Sequence, residues 1–323
     1  MKYIIINDEH ELYEVMYADL FTTNEYDVEQ LDRFVQMSAW MKGLRELHFN
    51  DRINRHMWLP GKSLWNRWYT LSSYSFDPDE KYWVIFLNGT LRNYYSREFI
   101  SSFKARRQNV HLALVMYDSF SNRHAGRAIS MLDQFDAVFS FDAGDCQRYG
   151  MRHIWSTFSY PGFVTHDETL KTSAFFVGAA EDRIDIMNPC FALLAESLPN
   201  CKFNVVGVSP ENQVFPNAIT YNRGMPYKEA LQYSFNTDLI VEVVREGQAG
   251  VSLRTCEAIL FNKKLLTNNQ ALKSMPFYDE RFMSVFTDTD DIDLDFIHSD
   301  KTVDYGRKDW FSPLNIIREL GDF

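Results

Sequence analysis

Cysteine is scarce. Four in 323 residues, Cys146, Cys190, Cys201 and Cys256, include no C-x-x-C pair. That is too few for a disulfide framework, and they read as reduced core residues. No stretch approaches the ~18 apolar residues of a spanning helix. The opening MKYIIINDEHE has only three consecutive isoleucines before charge begins, too short for a secretory signal. Eight histidines show no metal-ligand spacing, and GxGxxG, Walker, HExxH and GxSxG motifs are all missing. Positive charge is in deficit: 33 Lys and Arg against 44 Asp and Glu leave a net charge of −11. That argues against non-specific nucleic-acid binding by the whole molecule. The expected setting is cytoplasmic.

Hydrophobic residues make up 46% of the chain and aromatics 15%, enough for large cores. The length suits two domains of about 150 residues. Strands and helices alternate, as in an α/β parallel sheet. Strands are expected at 1–6, 81–87, 110–119, 135–142 and 153–160. NDEHELYE reads as a loop, helices fall near 95–107 and 123–133, and DCQRYG forms a short one. A polar, turn-rich break at 161–172 interrupts the pattern. Strands SAFFVG, KFNVVG, AITYN, DLIVEVV and KLLTNN then alternate with helices at 183–198, 227–236 and 253–261. The expectation is two Rossmann-like domains, 1–165 and 166–323, facing a central cleft. The terminal SPLNIIRELGDF would pack back on the first. In such sheets ligands bind beyond the carboxyl ends of the strands.

EGQAGVSLRTCEAILFNKKLLTNN, residues 246–269, carries the most chemistry. Gly247 and Gly250 let the backbone turn tightly. Ser252 caps a helix whose Leu253, Cys256 and Leu260 share a buried face. Arg254 and Glu257, at i and i+3, share another face. A helix start favours an anion, arginine adds bidentate phosphate contacts, and a carboxylate one turn later can accept both hydroxyls of a ribose. The plainer alternative is a salt-bridged surface helix.

This segment, followed by MPFYDERFMSVF and supported by SAFFVGAAEDRIDI and FDAVFSFDAGDCQRYG, resembles bacterial glycosyltransferases of the GT-B fold. Such enzymes build lipopolysaccharide, capsule or exopolysaccharide. The resemblance covers most of the second half and, weakly, the first. It implies a nucleotide-sugar donor, UDP by default, a glycan or lipid-linked glycan acceptor, and no metal or other cofactor. It places the Ser252 and Leu253 main chain and Arg254 at the diphosphate, and Glu257 at the ribose. Many retaining members carry two glutamates with seven residues between them. Here Glu246 and Glu257 have ten between them, so the role of the first glutamate and retaining chemistry do not transfer. A nucleotide-sugar epimerase and a non-catalytic nucleotide-sugar-binding assembly subunit are the alternatives.

Further candidates sit after strands. Gly178 would permit close ligand approach and Arg183 would reach the diphosphate; otherwise the two form a capping turn with a solvated Asp182–Arg183 pair. Met225 and Tyr227 would flank the base, or simply pack. Asp8, His10 and Asp118 are candidates for the base that takes the acceptor's proton, with solvated turns as the alternative. Asp142 reads as a helix cap, and Asp288-Thr-Asp290 as a solvated turn rather than a metal site.

Residues 40–69 hold four of the seven tryptophans and six Lys/Arg against two acids, a local charge of +4. Basic residues interleaved with tryptophan suit an anionic membrane surface or a lipid-diphosphate acceptor. Peripheral contact with the inner face of the plasma membrane is the expectation drawn from it; the alternative is core packing with a solvated basic edge.

Overall fold

A computed structural model describes residues 1–6, 11–57, 59–87, 95–116, 120, 126–245, 250–306 and 308–321. The chain divides into two compact units, Met1–Ser159 with Ser312–Phe323, and Tyr160–Phe311. Each is built on a six-stranded, wholly parallel sheet.

In the first unit the strands are β1 (Lys2–Ile6), β2 (Asp27–Leu31), β3 (Tyr82–Leu87), β4 (Val110–Met116), β5 (Ala137–Ser140) and β6 (Arg152–His153). Their order is β2-β1-β3-β4-β5-β6, which reverses direction between β1 and β3. All six residues of β3 are buried, as a central strand covered on both faces requires. Ile4, Val84, Phe86, Leu112 and Leu114 supply the sheet side of one core, against Tyr69, Tyr95 and Ile100. Helix Arg97–Ala105 starts where the Ser96 hydroxyl accepts from Phe99 N at 3.2 Å. Asp142 does cap helix Ala143–Tyr149, accepting from Asp145 N at 3.0 Å, and left-handed Gly150 ends it.

The second unit contains β7 (Thr172–Ala179), β8 (Cys201–Val206), β9 (Thr220–Tyr221), β10 (Thr237–Glu242), β11 (Lys264–Thr267) and β12 (Met283–Val285). The order β12-β11-β10-β7-β8-β9 is the doubly wound Rossmann order, with its switch point between β7 and β10. Phe176, Phe203, Leu239, Val241 and Leu266 line its core against Met187 and Leu194. Among the described residues no helix is long and apolar enough to cross a membrane.

Several local expectations are corrected. NDEHELYE is not all loop, since Glu11–Met16 is helical. β2 was not expected: DVEQL is an edge strand with one buried residue, so it lacks an apolar signature. β12 was missed too. HIWSTFSY yields only the short edge β6, and described helix between 123 and 133 is confined to Gly126–Ile129, with a 3₁₀ turn at Leu132–Gln134. The expected boundary at 165/166 lies inside the second unit, because Gln232 and Asn236 bind the chain before β7. Gln232 contacts Thr165 N and Phe163 O, and Asn236 contacts Asp167 N and Thr165 O, at 2.9–3.3 Å. Helix Leu314–Gly321 belongs to the first unit, where Arg152 donates to Glu319 O at 3.2 Å.

All four cysteines are free thiols and three are buried. Burial, then neighbouring Cys201, pushes the Cys190 thiol up to about 12, and burial pushes Cys201 to about 11. Thiolate, not thiol, is the nucleophile. Native protein is therefore expected to react with Ellman's reagent far more slowly than denatured protein, which should release four equivalents.

Candidate functional site

The carboxyl ends of β7 and β10, at the switch point of the second sheet, are where a doubly wound domain binds ligand. β10 ends in Glu242, a carboxylate almost without exposure. It accepts from three hydroxyls: Ser252, Thr255 at 2.9 Å and Thr267 at 2.5 Å. Ser252 is also the N-cap of helix Leu253–Phe261, accepting from Arg254 N at 3.0 Å and Thr255 N at 3.5 Å. One buried carboxylate thus fixes the helix start to the ends of β10 and β11.

The next two residues of the T-N-N run complete the frame. Asn268 clasps Val244, accepting from its N–H at 2.7 Å and donating to its carbonyl at 3.1 Å. Buried Asn269 donates to Gly250 O at 3.1 Å. Sequence reasoning placed this run in a motif but gave it no role, and it missed Glu242 altogether. The available signal was spacing: each polar residue stands where a parallel strand ends, beside the loop of its neighbour.

Arg254 and Glu257 do share a face, but it is buried. Glu257 is 0% exposed and Arg254 15%. The guanidinium lies 2.5 Å from Glu257 Oε2 and donates to Ser234 Oγ at 3.1 Å, while Ser234 Oγ donates to Glu257 Oε2 at 2.6 Å. Ser234 and Tyr227 both come from helix Tyr227–Asn236, two turns apart on one side. Tyr227 lies close enough to Glu257 for the carboxylate's charge to add to burial in raising the phenol's pKa. Yet Tyr227 Oη and Glu257 Oε1 close no hydrogen bond of ordinary geometry. Burial pushes the Glu257 carboxyl above its usual range, opposed by Arg254, Ser234 and Tyr227.

These positions correct the expected geometry. The alternative of a surface helix does not hold, since every residue from Thr255 to Phe261 is buried. The Arg254 guanidinium faces Glu257 and Ser234 rather than lying free at the helix start. Ser252 takes up two of the first N–H groups and Cys256 N returns to Ser252 O at 3.2 Å. Leu253 N–H is what the helix start itself has left for an anion.

Arg183 is likewise occupied. It donates to the carbonyls of Val243 at 2.5 Å, Ala180 at 3.4 Å and Ala179, joining the β7 and β10 ends. Arg245 pairs with Glu181 beside it. The expected solvated Asp182–Arg183 turn is therefore replaced by a backbone staple. At Gly178 an added Cβ would meet the Phe176 ring at 3.2 Å, a tight contact that asks the ring to give by a few tenths of an ångström. Met225 is half-buried ahead of helix Tyr227–Asn236. Asp8, His10, Asp118, Glu246 and Gly247 lie outside the described residues. Asp288 and Asp291 close a capping box, Asp288 N donating to Asp291 Oδ2 at 3.2 Å.

No protein-family model matches the chain, and no curated protein sequence does. Solved structures do. MnaA of S. aureus, in its co-structure with UDP, is 9% identical over 99% of this chain and 95% of that one, with a TM-score of 0.54. Alr3699/HepE of Anabaena, in complex with UDP and glucose, is 12% identical over 100% and 98%, at 0.52. A protein of Listeria monocytogenes described as a UDP-N-acetylglucosamine 2-epimerase is 10% identical over 99% and 94%, at 0.51. At such identities the likeness is one of fold. The fold is α/β with two Rossmann-like domains, the GT-B class that the sequence resembled.

Two outcomes test the frame. Replacing Arg183 with Met strips donors from three carbonyls and should cost about 2–3 kcal/mol of unfolding free energy in urea. Replacing Arg254 with Met leaves Glu257 buried without its cation, at a cost of about 3 kcal/mol at neutral pH. The Glu257 pKa is raised above its unfolded value of 4.5, so its favourable contribution is complete below that value and is lost as pH rises through the folded one. Arg254→Met raises the folded value further. Its penalty relative to wild type should therefore shrink as pH falls from 7 toward 5, as read by urea midpoints at each pH.

Proposed function

We propose that the chain is a glycosyltransferase that moves a sugar from a nucleotide-sugar donor, with UDP as the nucleotide, to a hydroxyl of a growing surface glycan carried on a lipid. The observation that carries the reading is the switch point of the second sheet. There, a helix start fixed by Glu242 stands one turn from a buried carboxylate, Glu257, one oxygen of which lies beside Tyr227 without a hydrogen bond of ordinary geometry. The diphosphate would meet Leu253 N–H and Arg254, and the ribose hydroxyls Glu257. Met225 and Tyr227 would flank the base.

Arg254 and the helix dipole stabilise the leaving diphosphate as charge develops, without a metal. This arrangement requires Arg254 to exchange Glu257 for phosphate when the donor enters, and Glu257 to exchange Arg254 for ribose. The base that takes the acceptor's proton is assigned to Asp8, His10 or Asp118. Residues 40–69 bring the protein to the anionic inner face of the membrane, where a lipid-linked acceptor would be held.

A thermal-shift series with UDP, GDP, CDP and ADP tests the site. UDP should raise Tm, and Arg254→Ala and Glu257→Gln should each remove the shift while the folded baseline persists. A shift unchanged in both variants rejects the site. Donor consumed only when a glycan acceptor is added supports transfer, whereas turnover without acceptor marks an epimerase. Binding with no turnover over an acceptor panel marks an assembly subunit.

A further inference from the structure

Large apolar side chains are unevenly exposed on this protein. Among the described residues ten are well exposed, and five of them, Trp40, Leu44, Leu47, Met57 and Leu64, fall within residues 40–64. Trp40 is 69% exposed and Leu64 72%. Scattered single cases need no explanation, but a cluster does.

The cluster has a regular basis. In helix Ala39–His48, Trp40, Leu44 and Leu47 follow i, i+4, i+7 and span roughly 60° of arc. The inward side, about 100° round the helix from that stripe, carries Met41, Arg45 and His48. Arg45 lies over the Phe34 ring at 4.5 Å, and His48 Nδ1 accepts from Trp65 Nε1 at 2.8 Å. The helix therefore buries its mixed side and turns its most apolar side to solvent. Arg45 and Trp65 are part of the core, so only a portion of the basic, tryptophan-rich segment faces outward. Trp58 lies outside the described residues.

His48 and Trp65 join this helix to the 3₁₀ helix Lys62–Trp68. In a 3₁₀ turn residues i and i+3 eclipse, so exposed Leu64 and exposed Arg67 share a face. Arg67 also lines a cavity of about 380 Å³ with Arg106, Arg107, Ser72 and Ser102. Among the described residues that line it, Glu98 is the one carboxylate. Among the described residues no carboxylate forms an ion pair with any of the three arginines. The end of helix Arg97–Ala105 favours one nearby cation. It does not account for three gathered round one cavity.

We propose that this face is a lipid-docking surface: the Trp40–Leu44–Leu47 stripe and Leu64 enter the interface of an anionic bilayer, and the Arg67–Arg106–Arg107 cavity receives a lipid phosphate. The inference deepens the transferase reading and rests on it for its biological purpose, but not for its physics. Charge selects the occupant. The segment carries +4 in a chain of −11, so two copies meeting through it would repel. A nucleic acid would leave the leucines without an apolar partner. An anionic bilayer supplies both the apolar layer and the phosphates.

The test is co-sedimentation of the full chain with vesicles of phosphatidylglycerol mixed with phosphatidylcholine, against phosphatidylcholine alone. Wild type should pellet with the former and not the latter. Leu44→Glu with Leu47→Glu, both exposed, should weaken binding at least tenfold. Arg67→Ala with Arg106→Ala should weaken it about 30-fold, roughly fivefold for each charge removed. Free inorganic phosphate that fills the cavity should weaken vesicle binding, by no more than the Arg67→Ala with Arg106→Ala pair does, because the apolar stripe still inserts. Wild type failing to pellet, or both double variants pelleting like it, overturns the proposal. So does a wild-type dimer that Leu44→Glu with Leu47→Glu makes monomeric in sedimentation velocity, or retention of an acidic protein by wild type with no binding to vesicles. The UDP thermal shift run on the same variants separates the two readings. A retained shift with no vesicle binding removes only the docking surface, and vesicle binding with no shift removes only the nucleotide site.

Discussion

The second unit is organised around the carboxylate of Glu242. Burying a charge is costly unless it is hydrogen-bonded on every side. Here Ser252, Thr255 and Thr267 converge on it from the helix start and from β11. The requirement works in both directions: the carboxylate needs those hydroxyls, and the hydroxyls hold the helix in one register against the sheet. Asn268 and Asn269 extend the same logic to Val244 and Gly250, and Arg183 ties in the end of β7. The switch point is a rigid, closely hydrogen-bonded polar frame.

That rigidity bears on the neighbouring cluster. Arg254 and Glu257 on the fixed helix meet Ser234 and Tyr227 of helix Tyr227–Asn236 in an interior whose low dielectric strengthens each interaction and penalises each unmatched atom. The unmatched Glu257 Oε1 and Tyr227 Oη are the places where the cluster falls short of full satisfaction. A frame that is fully bonded beside a cluster that is not concentrates any rearrangement on the cluster. Arg254 keeps a partly exposed side chain, whereas Glu257 has none of its surface exposed.

The first unit distributes its chemistry differently. Its core is rich in aromatics: Tyr69 and Tyr95 pack in a tilted pair with centroids 4.3 Å apart, with Phe99 against both. Basic side chains are drawn onto those rings, including Arg45 on Phe34 and Arg107 on Phe103. Cation–π contact lets a segment be basic in composition and still pack. The segment 40–69 is divided by packing, with Arg45 and Trp65 inside and Trp40, Leu44, Leu47 and Leu64 outside.

Hydrophobic periodicity by itself determined the α/β alternation and two successive domains, because buried parallel strands such as YWVIFL and DLIVE need continuous apolar runs. Capping chemistry was equally legible, as at Ser252 and Asp142, since a cap depends only on residues two or three positions away. The edge strands β2 and β12 were not, because β2 is largely exposed and β12 is only three residues long, so neither carries such a signature. Nor was the direction in which a charged side chain turns. The i, i+3 spacing put Arg254 and Glu257 on one face, but only the packing of helix Tyr227–Asn236 over that face made it an interior one. Arg183 looked available for a phosphate until β7 and β10 were seen side by side, with their carbonyls within its reach. Burial and hydrogen-bond partners come from elements far apart in the chain, so the tertiary structure decided what each of these groups faces.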